Sequence, residues 1–246
     1  MTGTPDHLTD DAGAVLAESI NERIYFIRSK RWIAYPKALE ILGHLNALLK
    51  HPRTTRMPSL AVFGDSGMGK TMLVEKFRRT NPPIVNTFAG AEIVPVLTIS
   101  LSSKPSERRV YAQLLSGAGV NVRHAMTLVE MEVRALTLLK QLKVRVIVID
   151  EVHNLLAGSP REQRVILQLF RHLSNELKAS LVCLGIADAR EAIAGDTQLA
   201  RRLDQITLPR WKADEEFQSL ASSAFLNVEL HIRPMKDIKI KRVRQV

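Results

Sequence analysis

Cysteine is almost missing: Cys183 stands alone in 246 residues, which excludes an intrachain disulfide and a cysteine-based zinc cluster. It lies in an apolar run and reads as a small core residue. None of the seven histidines has metal-ligand spacing such as H-E-x-x-H. No apolar run approaches the roughly 18–20 residues of a membrane span. The polar, acidic start MTGTPDHLTDDAGAV is not a secretory signal. Internal repeats and low-complexity segments are also missing. These absences lead to the expectation of a cytoplasmic protein with no membrane partner, built as one α/β domain with small appendages.

Charge is not balanced. Thirty-five Lys and Arg against 25 Asp and Glu give a formal net charge of +10 and a pI near 10.0. Such an excess suggests a polyanionic partner. Part of it sits in the closing stretch HIRPMKDIKIKRVRQV, which reads as a disordered tail, as Met1–Gly13 reads as a disordered arm.

The chemistry is organised around Gly64–Thr71, GDSGMGKT, which fits the phosphate-binding G-x-x-x-x-G-K-[ST]. The apolar stretch Ser59–Phe63 before it suits a buried parallel strand, and Thr71–Arg79 after it suits a helix. Strand, glycine loop and helix start come in the order that phosphate binding needs. Gly64, Asp65, Ser66, Gly67, Met68 and Gly69 would turn backbone N–H groups toward phosphate oxygens. The helix N-terminus adds partial positive charge. Lys70 would reach the β- and γ-phosphates of ATP, and the Thr71 hydroxyl would hold Mg²⁺.

Ile93–Leu101, Val144–Ile149, Ser180–Ile186 and Gln205–Leu208 read as further strands. Helices are expected over Ala14–Ile27, Lys37–Lys50, Glu107–Leu115, Met126–Leu142 and Arg161–Leu177, with short ones over Ala187–Ala194 and Thr197–Leu203. The alternation implies an α/β fold with a mostly parallel sheet covered on both faces. The third strand ends in Asp150-Glu151. Asp150 would hold Mg²⁺, and Glu151 would polarise the attacking water as general base. An acidic pair on the strand next but one after the P-loop strand marks a P-loop NTPase of the ASCE type, with strand order 5-1-4-3-2. At the end of the fourth strand Asp188 is the polar side chain placed to sense a γ-phosphate, or else to cap the following helix. Arg201 and Arg202 precede the fifth strand, where arginine can serve a neighbouring subunit's nucleotide in trans or form a surface ion pair.

With GDSGMGKT, VIVIDEVHNLLAG, the lead-in RWIAYPKALEILGHLNALLKHPRTTRMPSLAVFG and the ending QLARRLDQITLPRW, the chain resembles the TniB/TnsC-like AAA+ ATPases of transposons, TniB most of all. The resemblance covers roughly Glu18 to Phe217. It implies an ATP-dependent regulator that assembles as a ring or helical filament on double-stranded DNA and couples a TniQ-like target selector to a DDE transposase of the TniA type. It implies no strand-transfer chemistry in this chain. The domain reading is 1–57 as arm and helical lead-in, 58–210 as ATPase core and 211–246 as a short extension with a basic tail. Pro209–Val246 is too short for a full AAA+ lid, so the lid is expected to be reduced or absent. Trp32, Ile33 and Tyr35 are candidates for the adenine pocket, or alternatively for a helix-staple core. Lys104, Arg108, Arg109 and Arg123 are candidates for contacts to DNA phosphates. The alternative functions are an IstB-like or helicase-loader-like ATPase and a nucleotide-gated scaffold that hydrolyses little.

Overall fold

Ser19 interrupts what periodicity alone reads as one helix over Ala14–Ile27. Two helices form instead, α1 (Asp10–Val15) and α2 (Ile20–Arg28). The Ser19 hydroxyl accepts from Glu22 N–H, while the Glu22 carboxylate accepts from Ser19 N–H at 3.0 Å, a reciprocal capping box that starts a new helix. The computed structural model of the protein describes residues 10–15, 18–29, 32–86, 91–123, 125–213, 217–218 and 220. The expected arm over residues 1–9 and the basic tail lie outside the described residues, whereas Asp10–Gly13 of that arm belongs to α1. The chain groups into two compact units, one of Met1–Tyr35 with Lys212–Val246 and one of Pro36–Trp211.

The larger unit begins with α3 (Pro36–Lys50), whose buried Ala38, Ile41, Leu45 and Leu48 recur every three or four residues. After it come β1 (Ser59–Phe63) and α4 (Lys70–Thr80). A short antiparallel hairpin follows, β2 (Ile84–Asn86) with β3 (Ala91–Ile93), where the sequence reading has only a break at Asn81-Pro82-Pro83 and a strand from Ile93. The chain continues through β4 (Val96–Ser100), α5 (Glu107–Gly117), α6 (Leu128–Gln141), β5 (Val146–Asp150), a 3-10 helix (Val152–Ala157), α7 (Pro160–Leu177) and β6 (Ser180–Gly185). It ends in α8 (Ala189–Ala194), α9 (Thr197–Ala200) and β7 (Leu203–Thr207).

Five strands form one parallel sheet in the order β4-β5-β6-β1-β7. Counted along the chain without the hairpin, this is the expected 5-1-4-3-2 read from the other edge. Alternate residues divide between two faces. Ala61, Phe63, Ile147, Ile149, Leu181 and Cys183 join the apolar sides of α5, α6 and α7 in one continuous core. The intervening Leu60, Val62, Val148 and Val182 serve the other face, where α3 packs on β1 and β6, and α4 on α3. Burial of each large aliphatic or aromatic side chain stabilises the sheet by about 1.5–3 kcal/mol. Parallel pairing with covered faces brings the carboxyl ends of β1, β5 and β6 together, the crevice where ligands of open α/β sheets sit.

Candidate active site

The loop after β1 is built by its backbone. Gly64 N–H donates to Gly185 O at 3.1 Å, fastening the loop's start to the end of β6. Gly67 and Gly69 have φ of 81° and 85°, left-handed values that a side chain would strain. Gly69 is the N-cap of α4 and supplies no capping side chain, so the first-turn N–H groups of α4 are left for phosphate oxygens. Lys70 Nζ donates to Gly64 O at 2.6 Å and Asp65 O at 2.8 Å. Ser66 and Thr71 are exposed, and Asp65 and Met68 are half-buried.

Across the crevice, the Thr71 hydroxyl donates to Asp150 Oδ2 at 3.0 Å. Asp150 is buried, and its other oxygen accepts from Glu151 N–H at 2.8 Å. A hydroxyl and a carboxylate so placed are the hard oxygen donors that suit Mg²⁺, which commonly takes one or two carboxylates and completes its shell with phosphate oxygens and water. Among the described residues, no group of three or more His, Cys, Asp or Glu side chains could hold a metal on protein ligands alone. The residues present therefore fit a Mg²⁺–nucleotide pair. Glu151 has φ 58° and ψ 37°, a left-handed conformation that costs a non-glycine residue about 1–3 kcal/mol and turns its side chain off the strand direction. Its Oε2 lies 3.1 Å from His153 Nε2.

Asp188 occupies the residue before α8 but makes no side-chain cap, contrary to the capping expectation. The backbone has taken that role: N–H groups of Ala189, Arg190 and Glu191 donate to Ile186 O, Ala187 O and Asp188 O at 3.1 Å each. Sequence reasoning missed two arginines near the loop. Arg190 stacks 4.9 Å from the Phe63 ring centroid and hydrogen-bonds Thr207 Oγ1. Arg210 pairs with the Asp65 carboxylate. The available signals were the Ala-Asp-Ala-Arg after β6 and the Leu-Pro-Arg-Trp after β7.

Arg201 and Arg202 lie at the opposite end of the sheet. Ser59 N–H, at the start of β1, donates to Arg202 O at 2.8 Å. Five strand residues span roughly 16 Å, so these arginines stand a strand's length from the glycine loop of their own chain. They are not equivalent. Arg202 is half-buried and donates to Asn175 Oδ1 at 2.7 Å. Burial, then the neighbouring charges of Arg56 and Arg171, lower the Arg202 pKa. The exposed Arg201 side chain has no hydrogen bond or ion pair among the described residues. Both line a cleft of about 610 Å³ together with Arg56, Gln198 and Asp204.

Lys104 and Arg123 are exposed on the loops flanking α5. Arg108 reaches across to Met126 O at 2.6 Å, joining the start of α5 to the Arg123 loop. Arg109 instead donates to Lys104 O at 2.9 Å and steadies its own loop. The structure thus brings the four basic candidates to one end of α5. Trp32, Ile33 and Tyr35 belong to the smaller unit as irregular chain just before α3. No described helix is long and apolar enough to cross a membrane.

The family model of the bacterial TniB protein matches residues 23–213. No curated protein matches the chain. Among solved structures, it is similar to the Aeropyrum pernix Orc1 protein in complex with DNA, with 16% identity, 81% of this chain and 52% of that one covered, and a TM-score of 0.57. It is similar also to Cdc6p from Pyrobaculum aerophilum, with 14% identity, 81% and 52% coverage and a TM-score of 0.53. Drosophila ORC bound to DNA follows, with 19% identity, 91% and 54% coverage and a TM-score of 0.51. The chain spans about half the length of these structures. At such identities the likeness is one of fold, that of AAA+ P-loop NTPases.

Proposed function

The chain belongs to the TniB family, and from that premise we propose that it is an ATP-hydrolysing, DNA-binding regulator of transposition. In this reading it assembles as a homo-oligomer on target DNA in the cytoplasm and links a TniQ-like selector to a DDE transposase. The observation that carries the ATPase part is the Thr71–Asp150 hydrogen bond of 3.0 Å beside the glycine loop. It pairs the two oxygen donors that would hold Mg²⁺ at the point where a γ-phosphate would lie. Lys70 and the first-turn N–H groups of α4 would bind the phosphates. Glu151, on the next residue after Asp150, would take the proton of the attacking water. The DNA part is supported by family membership, by the net charge of +10 and by two similar structures whose proteins are held with DNA.

Arg201 is the residue proposed to reach a neighbour's nucleotide, because it is exposed and uncommitted at the far end of the sheet. Arg202 would anchor it through Asn175. Trp32, Ile33 and Tyr35 remain the proposed adenine contacts. Lys104, Arg108, Arg109 and Arg123 remain the proposed contacts to phosphates, which set position without reading sequence.

Electron microscopy and ATP turnover with duplex DNA test the reading. The expected result is ATP-dependent assemblies on DNA that persist in Glu151→Gln, which should bind ATP without hydrolysing it. Parental turnover in Glu151→Gln would remove the base assignment. Absence of both assembly and ATP-dependent DNA affinity would remove the DNA-regulator reading.

A further inference from the structure

His153 stands beside Glu151, outside the residues that would hold phosphate and Mg²⁺. It sits on the first turn of the 3-10 helix, two residues after Glu151. That helix is held firmly. Val152 and Leu155 are fully buried, Asn154 Nδ2 donates to Leu101 O at 2.8 Å, and Asn154 N–H donates to Glu151 O at 2.9 Å. A Cβ added at Gly185 would lie 3.5 Å from the His153 backbone nitrogen, so the turn packs directly on the end of β6. The imidazole is thus delivered by a rigid element to one place.

What it meets there is a single carboxylate oxygen, Glu151 Oε2, at 3.1 Å from Nε2. The other ring nitrogen is informative. His153 Nδ1 is buried and has no hydrogen-bond partner among the described residues. A proton on Nδ1 would be a buried donor with no acceptor, which costs more than an unfilled lone pair. Burial therefore assigns the ring proton to Nε2, where it donates to Glu151. The donated bond fixes one carboxylate oxygen and leaves Oε1 to face a water. A flexible, half-exposed glutamate in a left-handed turn would otherwise sample several rotamers.

We infer that His153 is the positioning residue of the hydrolytic site: its Nε2–H holds the Glu151 carboxylate in the one orientation from which it can take a proton from water. The inference rests on the reading of Glu151 as general base. It adds one side chain to the set formed by Lys70, Thr71, Asp150 and Glu151, and places it on the turn that packs against the end of β6.

Steady-state ATP turnover of the full chain, with ATP affinity and melting temperature measured alongside, tests it. His153→Ala should lower kcat by about 10–10²-fold, the size expected when a reacting group is misplaced by about 1 Å. KM, ATP affinity and melting temperature should stay near the parent values. His153→Gln, whose Nε2 amide can donate from a similar position, should recover most of the loss. In a Glu151→Gln background, His153→Ala should add nothing. An unchanged or raised kcat in His153→Ala overturns the inference. So does a loss that His153→Gln fails to recover, or one that persists in full on top of Glu151→Gln. If Glu151→Gln alone turns over ATP at the parental rate, it is the base assignment that fails. A silent Glu151→Gln with an unaffected His153→Ala removes only the role of His153.

Discussion

At the carboxyl ends of β1 and β5 the larger unit presents backbone N–H groups, Lys70 and the carboxylates of Asp150 and Glu151, with Asp65 paired to Arg210 beside them. At the amino ends of β1 and β7 it presents Arg56, Arg201 and Arg202 around a cleft of about 610 Å³. The first end is set by backbone geometry: left-handed Gly67, Gly69 and Glu151, and hydrogen bonds from Thr71 and Glu151 to one buried aspartate. The second end is set by side chains, where burial first, and then the like charges of Arg56 and Arg171, lower the pKa of Arg202. One end is furnished for a polyphosphate and its cation, while the other gathers cations and has few anions to meet them. The two lie a strand's length apart in one chain. In the proposed assembly on DNA, the arginine end of one chain would meet the phosphate end of the next.

The sharpest way to break the comparison is at the arginine end. Arg201→Ala should lower DNA-stimulated ATP turnover by about 10³–10⁵-fold, the range of an arginine supplied in trans. Arg202→Ala should lose less turnover but lower the melting temperature, since its bond to Asn175 is structural. Mixing Arg201→Ala with Lys70→Ala protein should restore activity, because a mixed interface joins an intact loop to an intact arginine. Equal losses and equal melting temperatures for the two arginine variants would erase the distinction between anchored and free. At the opposite end, Glu151→Gln should cost about 10²–10⁴-fold in turnover. Lys70→Ala should instead weaken ATP binding itself, as calorimetry would show.

Much of the first end was legible because its chemistry is contiguous. GDSGMGKT and VIVIDE each carry their own strand, and the strand order followed from one intervening strand between them. The hairpin of Ile84–Asn86 and Ala91–Ile93 was not legible, since three-residue strands are too short for alternation to register. Nor were Arg190 and Arg210, which reach Phe63 and Asp65 from more than a hundred residues away. The unequal roles of Arg201 and Arg202 also depended on a distant partner, Asn175 on α7. The break at Ser19 could have been read, because Ser19-Ile20-Asn21-Glu22 has the spacing of a capping box.

Smaller effects sharpen the comparison elsewhere. Lys104→Ala/Arg108→Ala should weaken ATP-dependent DNA binding and leave ATP binding intact. The log–log salt dependence should become shallower by about 0.9 for each phosphate that the variant no longer neutralises. A chain ending at Leu220 should keep that binding. The reverse pattern, measured by fluorescence anisotropy, would move the DNA site to the basic tail. The smallest effect concerns Cys183. Burial pushes its thiol up to about 12 from 9.0, so the folded state disfavours the thiolate. Its contribution to stability is then present in full below pH 9.0 and is lost as pH rises toward about 12. Melting temperatures measured from about pH 8 to about pH 11, across the lower part of that window, should fall more steeply for the parent than for Cys183→Ala, and equal slopes would refute the assignment.

Lys70 has two acceptors within its own loop, Gly64 O at 2.6 Å and Asp65 O at 2.8 Å. A protein that cycles must discharge its product as well as capture its substrate. An ammonium deserted by its anion in a partly buried loop would stand unpaired, and that raises the barrier to departure. Here the lysine already has two backbone acceptors, so in the proposed cycle it would trade one set of bonds for another. The consequence falls on exchange: capture forfeits the contribution of two backbone bonds, and release recovers it. In the proposed ATP cycle those carbonyls would take back the lysine as product leaves, and affinity for the nucleotide would be lower by their contribution.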